Sequence, residues 1–134
     1  MRQLVTSSRV FLEFAGLHLD MQDECLWRGG QMIQLQRKTF AVLRYLAEHP
    51  NRLVKKEELL RELWGNLHVT ESVLKTHLNH VRAALCDSAR NPSFIETVHG
   101  RGYRFIPKVR TVEIHDASVI SNASEMIGAL LDAS

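Results

Sequence analysis

The sequence predicts an α+β fold: an N-terminal four-stranded antiparallel sheet, three helices and a C-terminal β-hairpin, in that order. Three observations predict it. Residues 10–35 alternate apolar and polar side chains and are interrupted by Ala15-Gly16 and Gly29-Gly30. Residues 37–86 switch to apolar side chains three and four apart, the helical period. Residues 94–106 return to alternation around Gly100-Arg101-Gly102.

In the sheet, Val10–Phe14 and Leu17–Asp20 flank the Ala15-Gly16 turn, and 21–24 make a polar link. Cys25–Arg28 and 31–35 flank Gly29-Gly30, which suits a two-residue hairpin because glycine accepts positive φ. A first helix over 37–48 gathers Phe40, Leu43, Leu46 and Ala47 on one face, and Pro50 stops it. A second over 55–64 should bury Leu59, Leu60 and Leu63. Its Glu57 and Glu58 stand where the positive end of the helix dipole favours acid, and Gly65 ends it.

The third helix starts at Thr70, a good N-cap residue, and runs to about Cys86. Leu74, Leu78, Val81 and Leu85 form one apolar stripe. The opposite face carries Ser72, Thr76, Asn79, His80 and Ala83, with Lys75 and Arg82 on the flanks. Phe94–His99 and Tyr103–Ile106 then form the hairpin, with Arg101 at its tip.

Composition bounds what such a chain does. It has 134 residues, 45% of them apolar, enough for one real core and too many for disorder. No apolar run approaches the length of a membrane span, and the first ten residues lack a signal-peptide core. Cys25 and Cys86 form no CxxC pair and read as reduced thiols of a cytoplasmic protein. The net charge of +2 hides a segregation: residues 1–110 hold 17 basic and 11 acidic side chains, whereas the remaining 24 hold four acidic and none basic. A local basic surface attracts phosphate whatever the total is. The shift sets the expected organisation: a flexible segment over 1–9, a folded domain over 10–108 and an acidic linker or tail over 109–134. Within that tail Ser124 can cap a short helix bearing Met126, Ile127, Leu130 and Leu131.

Helices two and three with their short link form a helix-turn-helix, and a hairpin beside the last helix is a wing. A helix that enters the major groove needs an outer face of small polar and basic side chains, which the third helix has. Asn79 can pair with an adenine edge, and Lys75 can reach guanine or phosphate. Arg82 and Arg104 read as phosphate clamps. Arg101 on a slim tip suits a minor groove, where narrow A·T tracts concentrate negative potential.

The stretch Phe94-Ile-Glu-Thr-Val-His-Gly-Arg-Gly-Tyr-Arg-Phe105 resembles the wing signature of the winged-helix effector domains of OmpR/PhoB type, and Glu58-Leu59-Leu60 through Trp64-Gly65 and Val81-Arg82-Ala83-Ala84-Leu85 agree with it. The resemblance covers about Phe11 to Ile106. It implies a winged helix binding double-stranded DNA for transcriptional regulation, with no cofactor and no metal. It also admits RNA polymerase as a partner at the 66–69 link, a second copy on tandem half-sites, and a further C-terminal sensor domain. Family members often carry Arg where His99 stands, so that minor-groove role passes to Arg101. Lys38-Thr39-Phe40 and Val69-Thr70-Glu71-Ser72 are more similar to the branch related to CadC, in which the DNA-binding domain comes first. The Met1 start and the lack of a receiver domain's acidic pocket agree with that branch. The expected location is cytoplasmic, at the nucleoid, with a membrane-tethered full-length form admitted.

The plainer readings stand beside these. His77 and His80 share a helix face but have no further ligands at metal-site spacing. There is no nucleophile elbow, HExxH or phosphate loop, so no enzyme is expected. Trp27, Trp64, Phe40, Phe105 and Tyr103 read as core aromatics, and Lys55 and Lys56 as a solvated helix start. The competing functional class is a winged helix that binds protein, or a module dimerised through Met126–Leu131.

Overall fold

A computed structural model describes residues 8–65 and 67–115. The elements run β1 (Ser8–Phe14), β2 (Leu17–Asp20), β3 (Cys25–Arg28), β4 (Gln31–Gln34), α1 (Arg37–Glu48), β5 (Leu53–Lys55), α2 (Lys56–Trp64), α3 (Glu71–Leu85), β6 (Ile95–Val98), β7 (Gly102–Phe105) and β8 (Arg110–His115). The described residues form two units, one from residues 8–34 with 110–115 and one within 35–109.

The first unit is a five-stranded antiparallel sheet in the order β4-β3-β2-β1-β8. Four of its strands are those the alternation predicts. The fifth corrects the expected tail over 109–134 and its boundary. Residues 110–115 pair along β1, with Phe11 opposite Val112 and Glu13 opposite Arg110. Val112 and Ile114 pack on Phe11, Cys25 and Trp27, and Arg110 binds the Glu13 carboxylate at 2.7 Å. Charge composition placed the boundary before this segment, whereas its period-two alternation is the stronger signal. Likewise Ser8 and Arg9 of the expected flexible segment lie within β1. The Ser124-capped helix lies outside the described residues.

Two buried polar groups hold this sheet. Asp20 is fully buried and accepts from Arg9 at 3.0 Å and from the Gln22 and Asp23 amides at 3.0 and 3.1 Å. His18 meets Glu13 at 2.8 Å. Burial, with Asp20 and Asp23 nearby, pushes the Cys25 thiol up to about 11, which keeps it protonated and unreactive.

The second unit packs α1, α2 and α3 with a three-stranded sheet in the order β5-β7-β6. Helix α1 buries Phe40, Val42, Leu43, Leu46 and Ala47, and α3 buries Leu74, Leu78, Val81 and Leu85, the stripe its spacing predicts. In α2 only Leu59 and Trp64 are buried; Leu60 and Leu63 are half-buried. Trp64 is the second anchor because its ring lies against Lys38 (5.1 Å) and His77 (5.7 Å). Thr70 takes the N-cap position of α3 with extended backbone, without a side-chain capping bond.

The hairpin β6-β7 is joined by β5, a three-residue strand that pairs Val54 with Tyr103 and Lys55 with Gly102. Asn51, at positive φ, donates its amide to the Phe105 carbonyl at 2.8 Å. The turn after α1 therefore starts a third strand of the wing sheet.

Candidate nucleic-acid interface

The interface candidates all lie in the second unit, on α3 and the wing. On α3, Ser72, Lys75, Thr76, Asn79 and His80 are exposed while the leucine stripe beneath them is fully buried. At about 100° per residue these five and Ala83 spread over the side away from the core. The helix spans 15 residues, a rod of roughly 22 Å.

Backbone and carboxylate contacts hold the wing in place. The Lys56 amide donates to the Arg101 carbonyl at 3.1 Å, which ties the tip to the start of α2. Gly102 lets β7 approach β5: an added Cβ would stand 2.1 Å from the Val54 carbonyl oxygen. Asp87 accepts the amides of Ser93, Phe94 and Ile95 at 2.7, 3.2 and 3.0 Å, fixing the loop after α3 to the start of β6. Gly100 has φ +75° and turns the tip in open space, leaving His99 and Arg101 exposed.

Between α3 and the wing lies a cleft of about 90 Å³, lined by Lys56, Glu71, Lys75 and residues 97–103. Lys56 bonds Glu71 at 3.1 Å, which raises its pKa and keeps it cationic. Tyr103 is buried at the cleft floor, and that burial pushes its hydroxyl pKa up. The core reading of Tyr103 therefore matches its position.

Of the two expected phosphate clamps, Arg82 is corrected. Arg82 is only 9% exposed. Its guanidinium donates to the Ile95 carbonyl at 3.1 Å and the Thr97 hydroxyl at 2.7 Å, so it joins α3 to β6. A flank position on the helical wheel faced the wing rather than solvent. Arg104 is half-buried and pairs with Glu96 across the hairpin at 2.8 Å.

His77 departs from its neighbours. It is half-buried, its Nδ1 is 2.9 Å from the Thr39 hydroxyl, and its ring stands at right angles to His80. Burial first, then His80 and Lys38, lowers its pKa. Lys38 also donates to the Leu63 carbonyl. Among the described residues no group of three or more His, Cys, Asp or Glu can hold a metal ion, and no helix is long and apolar enough to cross a membrane.

Sequence reasoning missed Asp87, the second role of Gly102, and Val73. Val73 is an apolar side chain 38% exposed on α3. Its break from the leucine stripe was the available signal.

The family described as "Transcriptional regulatory protein, C terminal" matches residues 30–105. The phosphate regulon transcriptional regulatory protein PhoB of Escherichia coli is 30% identical over 95 residues, which are 70% of this chain and 41% of PhoB. The chain thus spans about two fifths of the length of that relative. The RstA DNA-binding domain of Klebsiella pneumoniae, solved in complex with the RstA box, is 27% identical with a TM-score of 0.66, covering 73% of this chain and 98% of that one. The DNA-binding domain of E. coli CadC has a TM-score of 0.66 at 21% identity, over 79% of this chain and 98% of that one, a likeness of fold alone. With more than half of its residues matched by the family model, and with a sheet, three helices and a wing in that chain order, the chain belongs to the OmpR/PhoB-type family of transcriptional regulatory DNA-binding domains.

Proposed function

We propose that this chain binds double-stranded DNA in a sequence-specific manner as part of a transcriptional regulator. In this reading α3 enters the major groove through Ser72, Lys75, Thr76, Asn79 and His80, and His99 and Arg101 on the wing reach the adjacent minor groove. The observation that carries it is the outer face of α3, polar and exposed, beside a wing whose tip is anchored by backbone bonds. A protein-binding winged helix needs a continuous apolar face there, and Val73 is the one large apolar side chain of α3 that is exposed. The action is binding alone, with no covalent chemistry.

Phosphate contact falls to Lys75 and the other exposed cations of residues 35–109. With about four to six phosphates contacted, log K falls with log salt at a slope of roughly −4 to −5. Leu67, 69% exposed in the 66–69 link, supports a protein contact there, and RNA polymerase is the partner the family resemblance implies.

Selection on random duplex DNA at two salt concentrations tests the reading. Enrichment of one motif with a steep salt dependence is expected. Uniformly weak binding that salt does not change would replace it with the protein-interaction reading.

A further inference from the structure

Resting on the DNA-binding reading above, we infer that α3 reads thymine by its C5-methyl group, through Val73 and the methyl of Thr76. The Thr76 hydroxyl donates to the Ser72 carbonyl at 3.0 Å, one turn back in the same helix. Such back-bonding satisfies a threonine hydroxyl within its own helix. The hydroxyl proton is thereby committed within the helix, and because the residue is exposed its methyl is available to a base edge. Three positions earlier Val73 is 38% exposed, next to Thr76 on the helix surface. The two build a small apolar step on a face that is otherwise polar.

In the major groove only thymine presents a methyl group, and small apolar contacts to it distinguish T·A from the other pairs. No arginine, the commonest guanine reader, stands on this face. Arg82 is the one arginine of α3, and it is buried against the wing. On this face Asn79 is suited to adenine and the Val73–Thr76 step to thymine, beside Lys75, which can reach guanine or phosphate.

The experiment uses the full chain and the duplex obtained by selection. Each thymine of the half-site is replaced in turn by deoxyuridine, which lacks only the C5-methyl. Affinity is read by fluorescence anisotropy. Losing one buried methyl weakens binding about fourfold, and such a loss is expected at one or two positions. Thr76→Val keeps the methyl and should keep that sensitivity. Thr76→Ser keeps the hydroxyl and should bind thymine and uracil alike at one position, as should Val73→Ala at the other.

Equal affinity of the unaltered chain for the thymine and uracil duplexes would overturn the inference while leaving DNA binding intact. So would a Thr76→Ser chain that behaves as the unaltered one while Thr76→Val fails, since the hydroxyl would then be the reading group. A selection that enriches no motif overturns the DNA-binding reading itself, and this inference with it.

Discussion

The guanidinium of Arg82 stands 2.7 Å from the Thr97 hydroxyl, so the last turn of α3 and the second-last residue of β6 share one buried cation. This bond orients the wing relative to α3. Arg82→Ala is expected to lower stability by about 2–3 kcal/mol, the range for hydrogen bonds to a charged group. Urea unfolding reads that loss. The slope of log K against log salt should stay unchanged for the folded protein. Unchanged stability with a slope shallower by about one would make Arg82 a phosphate contact.

Arg101 is exposed at the wing tip, and its carbonyl is tied to the Lys56 amide. Because the backbone fixes the tip, Arg101→Ala removes the charge without moving the turn. Affinity should drop most on duplexes whose flanks are A·T-rich, where a narrow minor groove concentrates negative potential. An equal loss on all flanks would place Arg101 on a phosphate instead.

The two glycines of the wing turn should respond differently to the same change. At Gly100 an added Cβ meets open space at φ +75°, so Gly100→Ala costs about 1–2 kcal/mol of backbone strain. At Gly102 the Cβ meets the Val54 and Lys55 backbone within 2.1–2.9 Å, so Gly102→Ala forces β5 and β7 apart and costs about 3 kcal/mol or more. Thermal unfolding of the two variants ranks them, and similar melting temperatures would contradict the close approach.

Asp87 accepts three backbone amides. Asp87→Ala leaves them without that partner and should destabilise by about 2 kcal/mol or more. Amide exchange should accelerate at Ser93, Phe94 and Ile95 before the α3 core. Unchanged protection there would show that the loop holds without the carboxylate.

His77 gives the second unit a pH dependence. Its pKa is lowered by burial, His80 and Lys38 from an ordinary value of 6.5. The unfolded chain therefore binds this proton more readily than the folded one. The stability tied to neutral His77 is complete above that ordinary value and is lost as pH falls through the lower folded value. His77→Gln, which keeps a partner for Thr39, should flatten the decline of the urea midpoint between about pH 7 and about pH 5. An equal decline in both proteins would remove His77 as its source.

The sequence alone determined the local elements and the outer face of α3. Gly29-Gly30, Pro50 and the Leu74, Leu78, Val81, Leu85 stripe act through φ, the missing amide and the 3.6-residue period, all properties of neighbouring residues. Only the tertiary structure decided the rest. Leu53–Lys55 is too short to show a period and becomes a strand because β7 offers it an edge. Arg110–His115 lies where the charge balance changes sign, yet completes a sheet whose partner residue lies 97 positions earlier, at the Glu13–Arg110 pair. Arg82 sits on the wheel where either solvent or protein could claim it, and the wing does. Periodicity reports which side of an element is apolar; which partner covers a flank is set by contacts between segments distant in the chain, and no local pattern encodes them.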